Sequence, residues 1–250
     1  MADLNTAAEK NATLPQKVLE TGAKFTQNFD PIKNVCHSVL TLSHIHFTML
    51  FSTAMGSTDM TRQVVAHHFC SSSSHRGRVR QCVIYDGPGP DAKLVGIEYI
   101  IDKEVFEKLP AEEKKLWHSH FYEITSGTLA LPTPSTIPSA VALPFEDRAM
   151  EDLIHTYGKI WYTWQVDRGD PIPLGVPQLM MAFTRDGQLQ EEILRARDES
   201  MGIDSQERKE RRQKLVVMGK PDIGGDEWEK TGRGVKLECV EEDIAGYGPI

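Results

Sequence analysis

The chain has 250 residues, 40% hydrophobic and 26% charged, which is the composition of a folded domain with material for a core and not of a disordered chain. Its 36 acidic against 28 basic residues leave a formal charge of -8, a balance that repels phosphate backbones and anionic headgroups and argues against nucleic acid as the main partner. No stretch supplies the roughly 20 apolar residues of a spanning helix, and the opening MADLNTAAEKNATLPQK lacks the apolar run of a secretory signal.

The four cysteines, Cys36, Cys70, Cys82 and Cys239, have no CxxC spacing. Without a signal segment they are expected as reduced thiols in a cytoplasmic protein.

Residues 1–30 are polar and weakly periodic, which predicts a flexible arm. An apolar segment within 31–66 fits a strand or a helix equally well. β-Prone runs predict strands at Val65–Cys70, Gln81–Tyr85 and Leu94–Ile101, the last two joined by the Gly-, Pro- and Asp-rich turn Asp86–Lys93. Lys103–Trp117 carries helical spacing, split by Pro110. HSHFYEITSGTLALP reads as strand material, Thr133–Pro144 as a loop, and Phe145–Tyr157 as a helix ending at Gly158. Lys159–Val166 and Gln178–Thr184 read as further strands, with a helix over Leu189–Met201. Ser205–Lys214 is a mixed-charge run suited to a solvated helix. The residues beyond Lys220 form a Gly- and acid-rich tail that could drape over the domain.

Irregular alternation with short turns between strands predicts a single α+β domain over 31–203, with a largely antiparallel sheet flanked by helices. The remainder, 204–250, reads as a charged helix and an extended tail.

Chemistry-bearing side chains concentrate in two places. In WHSHFYE, residues 117–123, strand alternation puts His118 and His120 on one face, and a bend after His120 would let Glu123 join them. Two imidazoles and a carboxylate suit a divalent transition metal. The same groups without metal would make His120 and Glu123 an acid–base pair acting on a small molecule. In AHHFC, His68 and Cys70 share one strand face and His67 takes the other. Cys82 and Glu98 lie on neighbouring strands and could add ligands. The bland alternatives are histidines hydrogen-bonded in a core and a buried structural cysteine. His-x-His followed by glutamate resembles the first half of a cupin metal site, but the spacing to the glutamate is short and no second half follows. His44-x-His46 lies in an apolar run and suits core packing better, as do Trp161, Tyr162 and Trp164. Asp167-Arg168-Gly169-Asp170 suits an ion pair that fixes a loop.

The segments MTRQVVAHHFC, QCVIYDGPGPDAKLVGIEYII, LPAEEKKLWHSHFYEITSG and YGKIWYTWQVDRGDPIPLGVPQLMMAFTRDGQ, in that order, resemble the oil body-associated protein family over about Met60 to Gly202. The resemblance implies association with lipid droplets and no established reaction. Its family-like positions here are His67, His68, Cys70, Cys82, Glu98, His118, His120 and Glu123, then Gln165, Asp167, Arg168 and Asp170. Members tend to carry a histidine where this chain has Tyr162. The sequence therefore supports three readings: a droplet-surface protein without catalysis, a metal-binding protein or metal-dependent enzyme, and a metal-free acid–base site.

Overall fold

The structure, a computed structural model, describes residues 44–52, 62–71, 78–133, 135–217 and 219–244, the first stretch by its backbone alone. The expectations for the arm at 1–30 and for the His44 and His46 side chains lie outside these residues.

The apolar segment that fits strand or helix is strand β1 (His44–Ser52), paired antiparallel with β2 (Gln63–Ser71) along its whole length. β3 (Val79–Tyr85) pairs with β2, and β4 (Leu94–Asp102) with β3, all antiparallel. The turn between β3 and β4 closes on itself: Lys93 N donates to Asp86 Oδ1 at 2.7 Å and Asp86 N to Lys93 O at 3.2 Å.

The two-residue β5 (His118–Ser119) and β7 (Gln178–Ala182) both pair with the same side of β6 (Thr156–Tyr162). The other side of β6 pairs with β4, and β7 returns to β1. The β4–β6 pairing therefore closes the ring β1–β2–β3–β4–β6–β7. The α+β, largely antiparallel architecture matches expectation. Its curling into a barrel depends on pairings between strands far apart in the chain, which local periodicity does not encode.

Strand alternation turns Val64, Ala66, Cys70, Cys82, Ile84, Ile100, Ile160, Tyr162, Met180 and Ala182 into one buried cluster, joined by Ala149, Met150 and Leu153 from the helix over it. The helices are α1 (Lys103–Glu107), α2 (Ala111–Lys114), α3 (Phe121–Thr125), α4 (Ser139–Leu153), α5 (Glu191–Met201), α6 (Ser205–Arg211), α7 (Gln213–Val216) and α8 (Glu227–Thr231). Pro110 separates α1 from α2 as expected, and Asp102 caps α1 by accepting from Val105 N at 2.8 Å.

Four local expectations change. HSHFYE is strand only at His118–Ser119 and then turns into α3. α4 begins at Ser139, within the stretch expected as a loop, and contains Pro144. The proline lacks one backbone donor, but the helix buries Ala142, Leu143, Ala149, Met150 and Leu153, and that packing outweighs the missing bond. Gly158 does not end a helix but sits inside β6. The mixed-charge run is helical over α6 and α7, yet not simply solvated, because Arg208 and Arg212 are buried.

Those two arginines converge on the buried Glu146 of α4. Arg208 makes a two-pronged pair at 2.7 and 2.9 Å, and Arg212 adds a third contact. Arg212 also donates to the carbonyls of Ile124 (3.1 Å) and Leu129 (2.8 Å), the segment leaving α3. This cluster ties α6 and α7 to the piece of chain that carries the candidate site.

Removing one partner leaves buried guanidinium charge uncompensated. Glu146→Ala should lower unfolding stability by about 3–5 kcal/mol, read from urea melts. Lys230→Ala, on the exposed face of α8, should stay within about 0.5 kcal/mol.

Candidate metal centre

Register explains why distant residues meet. Cys70 pairs with Cys82, Cys82 with Glu98, Glu98 with Ile160 and Ile160 with Met180, so one cross-strand row runs round the inner wall. His68 lies two residues from Cys70, on the same face. On the other side of the row, Gly158 pairs with both Ile100 and His118. His118 therefore enters the barrel beside Glu98, and the chain turns at His120 so that both imidazoles point inward.

Glu98 is fully buried and stands among three histidines. Its Oε2 lies 2.9 Å from His68 Nδ1, and its Oε1 lies 3.5 Å from His118 Nε2 and 3.3 Å from His120 Nε2. His120 is aimed by Thr156, whose hydroxyl is 2.8 Å from Nδ1 and itself donates to Leu153 O at 2.7 Å. The imidazoles of His118 and His120 meet edge to face with centroids 5.3 Å apart. Ligand atoms of Glu98, His118 and His120 all lie within 4.8 Å of one another, and so do those of His68, Cys82 and Glu98.

Gly158 makes the space. A Cβ there would run into the Glu98 carboxylate and lie 2.6 Å from His118 Nε2. The C-terminal segment covers the outer flank. Asp226 accepts from Ser119 N at 2.9 Å and from the Ser119 hydroxyl, while Asp222 N donates to the Tyr157 hydroxyl at 2.7 Å.

The electrostatics are those of an anionic pocket in a dry interior. Burial pushes the Glu98 carboxyl up, but the surrounding imidazoles of His118, His120 and His68 prevail and hold it well below the usual range. Burial lowers His118, against the opposing pull of Glu98, which favours the neutral imidazole that a metal requires. Glu123 is pushed well above its ordinary value by burial, then by the charges of Glu98 and Asp226. Both of its carboxylate oxygens are buried with no hydrogen-bond partner among the described residues. Asp226 is raised to about 6, mainly by burial.

Among the residues singled out from sequence, His68, His118 and His120 come together around Glu98, with Glu123 close enough to feel its charge. His67 does not join them. It points to the outer face, where it lines a groove against α5 with Val65, Ile193 and Arg197, and burial, His68 and Arg197 lower it to about 4. Cys70 is on the inner face but forms a disulfide with Cys82, so neither is the reduced thiol expected from sequence, and neither offers a thiolate in this state. The spacing argument favoured Glu123 as the carboxylate, whereas the register places Glu98 at the centre. Tyr162 belongs to neither ligand set; its hydroxyl donates to Asp167 at 2.8 Å. Asp167 also pairs with Arg62 at 2.6 Å, and Arg168 with Asp170.

A family model described as "Protein of unknown function (DUF1264)" matches residues 29–216. Oil body-associated protein 1B of Arabidopsis thaliana is 38% identical over 91% of this chain and 85% of its own length. Oil body-associated protein 1A of Zea mays is also 38% identical, over 96% and 97%. The chain belongs to the oil body-associated protein family. A more distant member, oil body-associated protein 2B of Zea mays, is 34% identical over 94% of the chain and 87% of its own length. No solved structure matches the chain. No described helix is long and apolar enough to cross a membrane.

The packing at Gly158 can be tested directly. Gly158→Ala should lower stability by about 1–3 kcal/mol through overpacking. Gly89→Ala, whose added Cβ would meet nothing within 4 Å, should leave the melt nearly unchanged.

Proposed function

We propose that this member of the family is a metal-binding protein of the oil-body surface, with a divalent transition metal held inside the barrel by Glu98, His118 and His120. The observation that carries the reading is the convergence of imidazoles on one fully buried carboxylate. Donors bonded to one metal at about 2.0–2.1 Å in tetrahedral geometry are about 3.3 Å from each other. Glu98 Oε1 lies 3.3 Å from His120 Nε2 and 3.5 Å from His118 Nε2. The donor chemistry fits as well: imidazole with carboxylate suits zinc, iron, manganese or copper better than magnesium or calcium.

Charge supports the same reading. The charges of Glu98 and Asp226 both act on the buried Glu123, and a divalent cation would offset them where water cannot. Glu123, within electrostatic reach and without a hydrogen-bond partner among the described residues, would accept or release a proton beside the metal. The metal would supply Lewis acidity. The chain's residues would orient it through Thr156 and His120, exclude water and hold the proton at Glu123. The relatives' names support a place at the droplet surface, where the chain would attach by its surface or by a partner; no described helix is long and apolar enough to cross a membrane.

Metal analysis of tag-free protein tests the centre. About one equivalent of metal per chain is expected, with a His118→Ala/His120→Ala double variant losing at least tenfold in affinity; metal content unchanged in that variant would refute the assignment. Affinity should fall as pH falls, because protons compete for the unprotonated His118 and for Glu123, whose raised pKa favours its protonated form. A fluorescently tagged chain in lipid-loaded cells should ring droplets, and a uniform cytosolic signal would refute the location.

A further inference from the structure

The metal reading uses one side of Glu98. The other side faces a second donor set. Glu98 Oε2 is 2.9 Å from His68 Nδ1, and Cys82, directly opposite Glu98 in the β3–β4 register, completes a group whose ligand atoms lie within 4.8 Å of one another. All three side chains are buried. Glu98 therefore stands between His118 and His120 on Oε1 and His68 on Oε2, with Cys82 in the His68 group, which is the placement of a bridging carboxylate. Two-metal centres with metals about 3.5–4 Å apart commonly share such a group. In the present state the second set is incomplete, because the Cys82 sulfur is bonded to Cys70.

We propose that the Cys70–Cys82 disulfide is a redox gate on a second metal site formed by His68, Cys82 and Glu98, so that reduction converts a one-metal barrel into a two-metal one bridged by Glu98. This rests on the first metal site being real. The chemistry balances. A dithiol reductant delivers two electrons and two protons, the S–S bond breaks to give two thiols, and the dithiol leaves as its own disulfide. The Cys82 thiol then forms a sulfur–metal bond and releases its proton to solvent. A thiolate beside imidazole and carboxylate favours zinc or another borderline-soft cation at this position.

Two features argue for a gate over a structural staple. The disulfide joins directly paired residues of adjacent strands, separated by only 12 positions in sequence, so it removes less entropy from the unfolded chain than a bridge between distant segments would. It also lies in the metal-facing wall and not at the barrel's edge. In a reducing compartment, disulfides are mostly transient, catalytic or redox-sensing.

Because both sulfurs are buried, Cys70→Ser is the cleaner probe, delivering a free Cys82 without a reductant having to penetrate. Cobalt(II) titration of the tag-free full chain reads both sites, with a near-ultraviolet thiolate-to-cobalt band reporting the second. Oxidised wild type should take about one equivalent without that band, and Cys70→Ser about two with it. Dithiothreitol-reduced wild type should follow Cys70→Ser, and Cys82→Ser should stay at one. If Cys82→Ser does not fold, oxidised wild type against Cys70→Ser decides alone. One equivalent and no thiolate band in Cys70→Ser would overturn the second site while leaving the first standing. Oxidised protein whose denatured thiol count does not rise on reduction would overturn the gate. Cobalt binding in neither state would remove the first site and this inference with it.

Discussion

A carboxylate buried without water must be matched by hydrogen bonds, by charge, or by losing its own charge. Glu98 sits at full burial inside a closed barrel and is matched by three imidazoles. Much of the surrounding architecture serves that arrangement. Gly158 leaves the volume that Glu98 and His118 occupy, β5 is only long enough to deliver His118 and Ser119 before the chain turns at His120, and Thr156 fixes the orientation of that last ring. The neighbouring carboxyl of Glu123 has no hydrogen-bond partner among the described residues. Burial and the charge of Glu98 push it well above its ordinary value, so a cation bound beside it would favour its ionised form.

The scaffold reaches the site through a second buried charge cluster. Glu146 on α4 holds Arg208 and Arg212, and Arg212 in turn grips the carbonyls of Ile124 within α3 and Leu129 just after it. α3 carries Glu123. The C-terminal segment then locks the opposite flank through Asp226 on Ser119 and Asp222 on Tyr157. Residues after 203 are thus part of what positions the candidate site, although their composition suggests a solvated helix and a loose tail.

The sequence carried much of this, and its omissions have physical causes. β-Prone runs locate β2, β3 and β4 to within one or two residues, and strand alternation places His118 and His120 on one face, although His120 lies just past the two-residue β5. The family resemblance over Met60–Gly202 was readable from long ordered segments and agrees with the 29–216 family match. From sequence Glu98 is a residue on a neighbouring strand that could add a ligand, not the centre of the site. Only the Cys82↔Glu98 and Glu98↔Ile160 registers, set by strand closure between residues far apart in the chain, bring it to the centre. Gly158 looked like a helix terminator because glycine ends helices more often than it makes room for a carboxylate. The Cys70–Cys82 bond was missed because neither spacing nor compartment suggests it, whereas a direct cross-strand pairing does. Glu146 with its two arginines joins α4 to α6 and α7 across more than 60 positions, which no local pattern reveals.

The imidazole–carboxylate cluster faces the barrel interior and is fully buried, so it is a site apart from the protein's outer surface. Anomalous diffraction from crystals grown with zinc tests the metal centre most directly. The expected result is a peak inside the barrel about 2.0–2.2 Å from a Glu98 oxygen and from nitrogens of His118 and His120. A barrel interior without anomalous density under saturating zinc, with His118 and His120 still turned toward Glu98 at hydrogen-bonding distance, would contradict the metal centre and leave a purely structural cluster in its place.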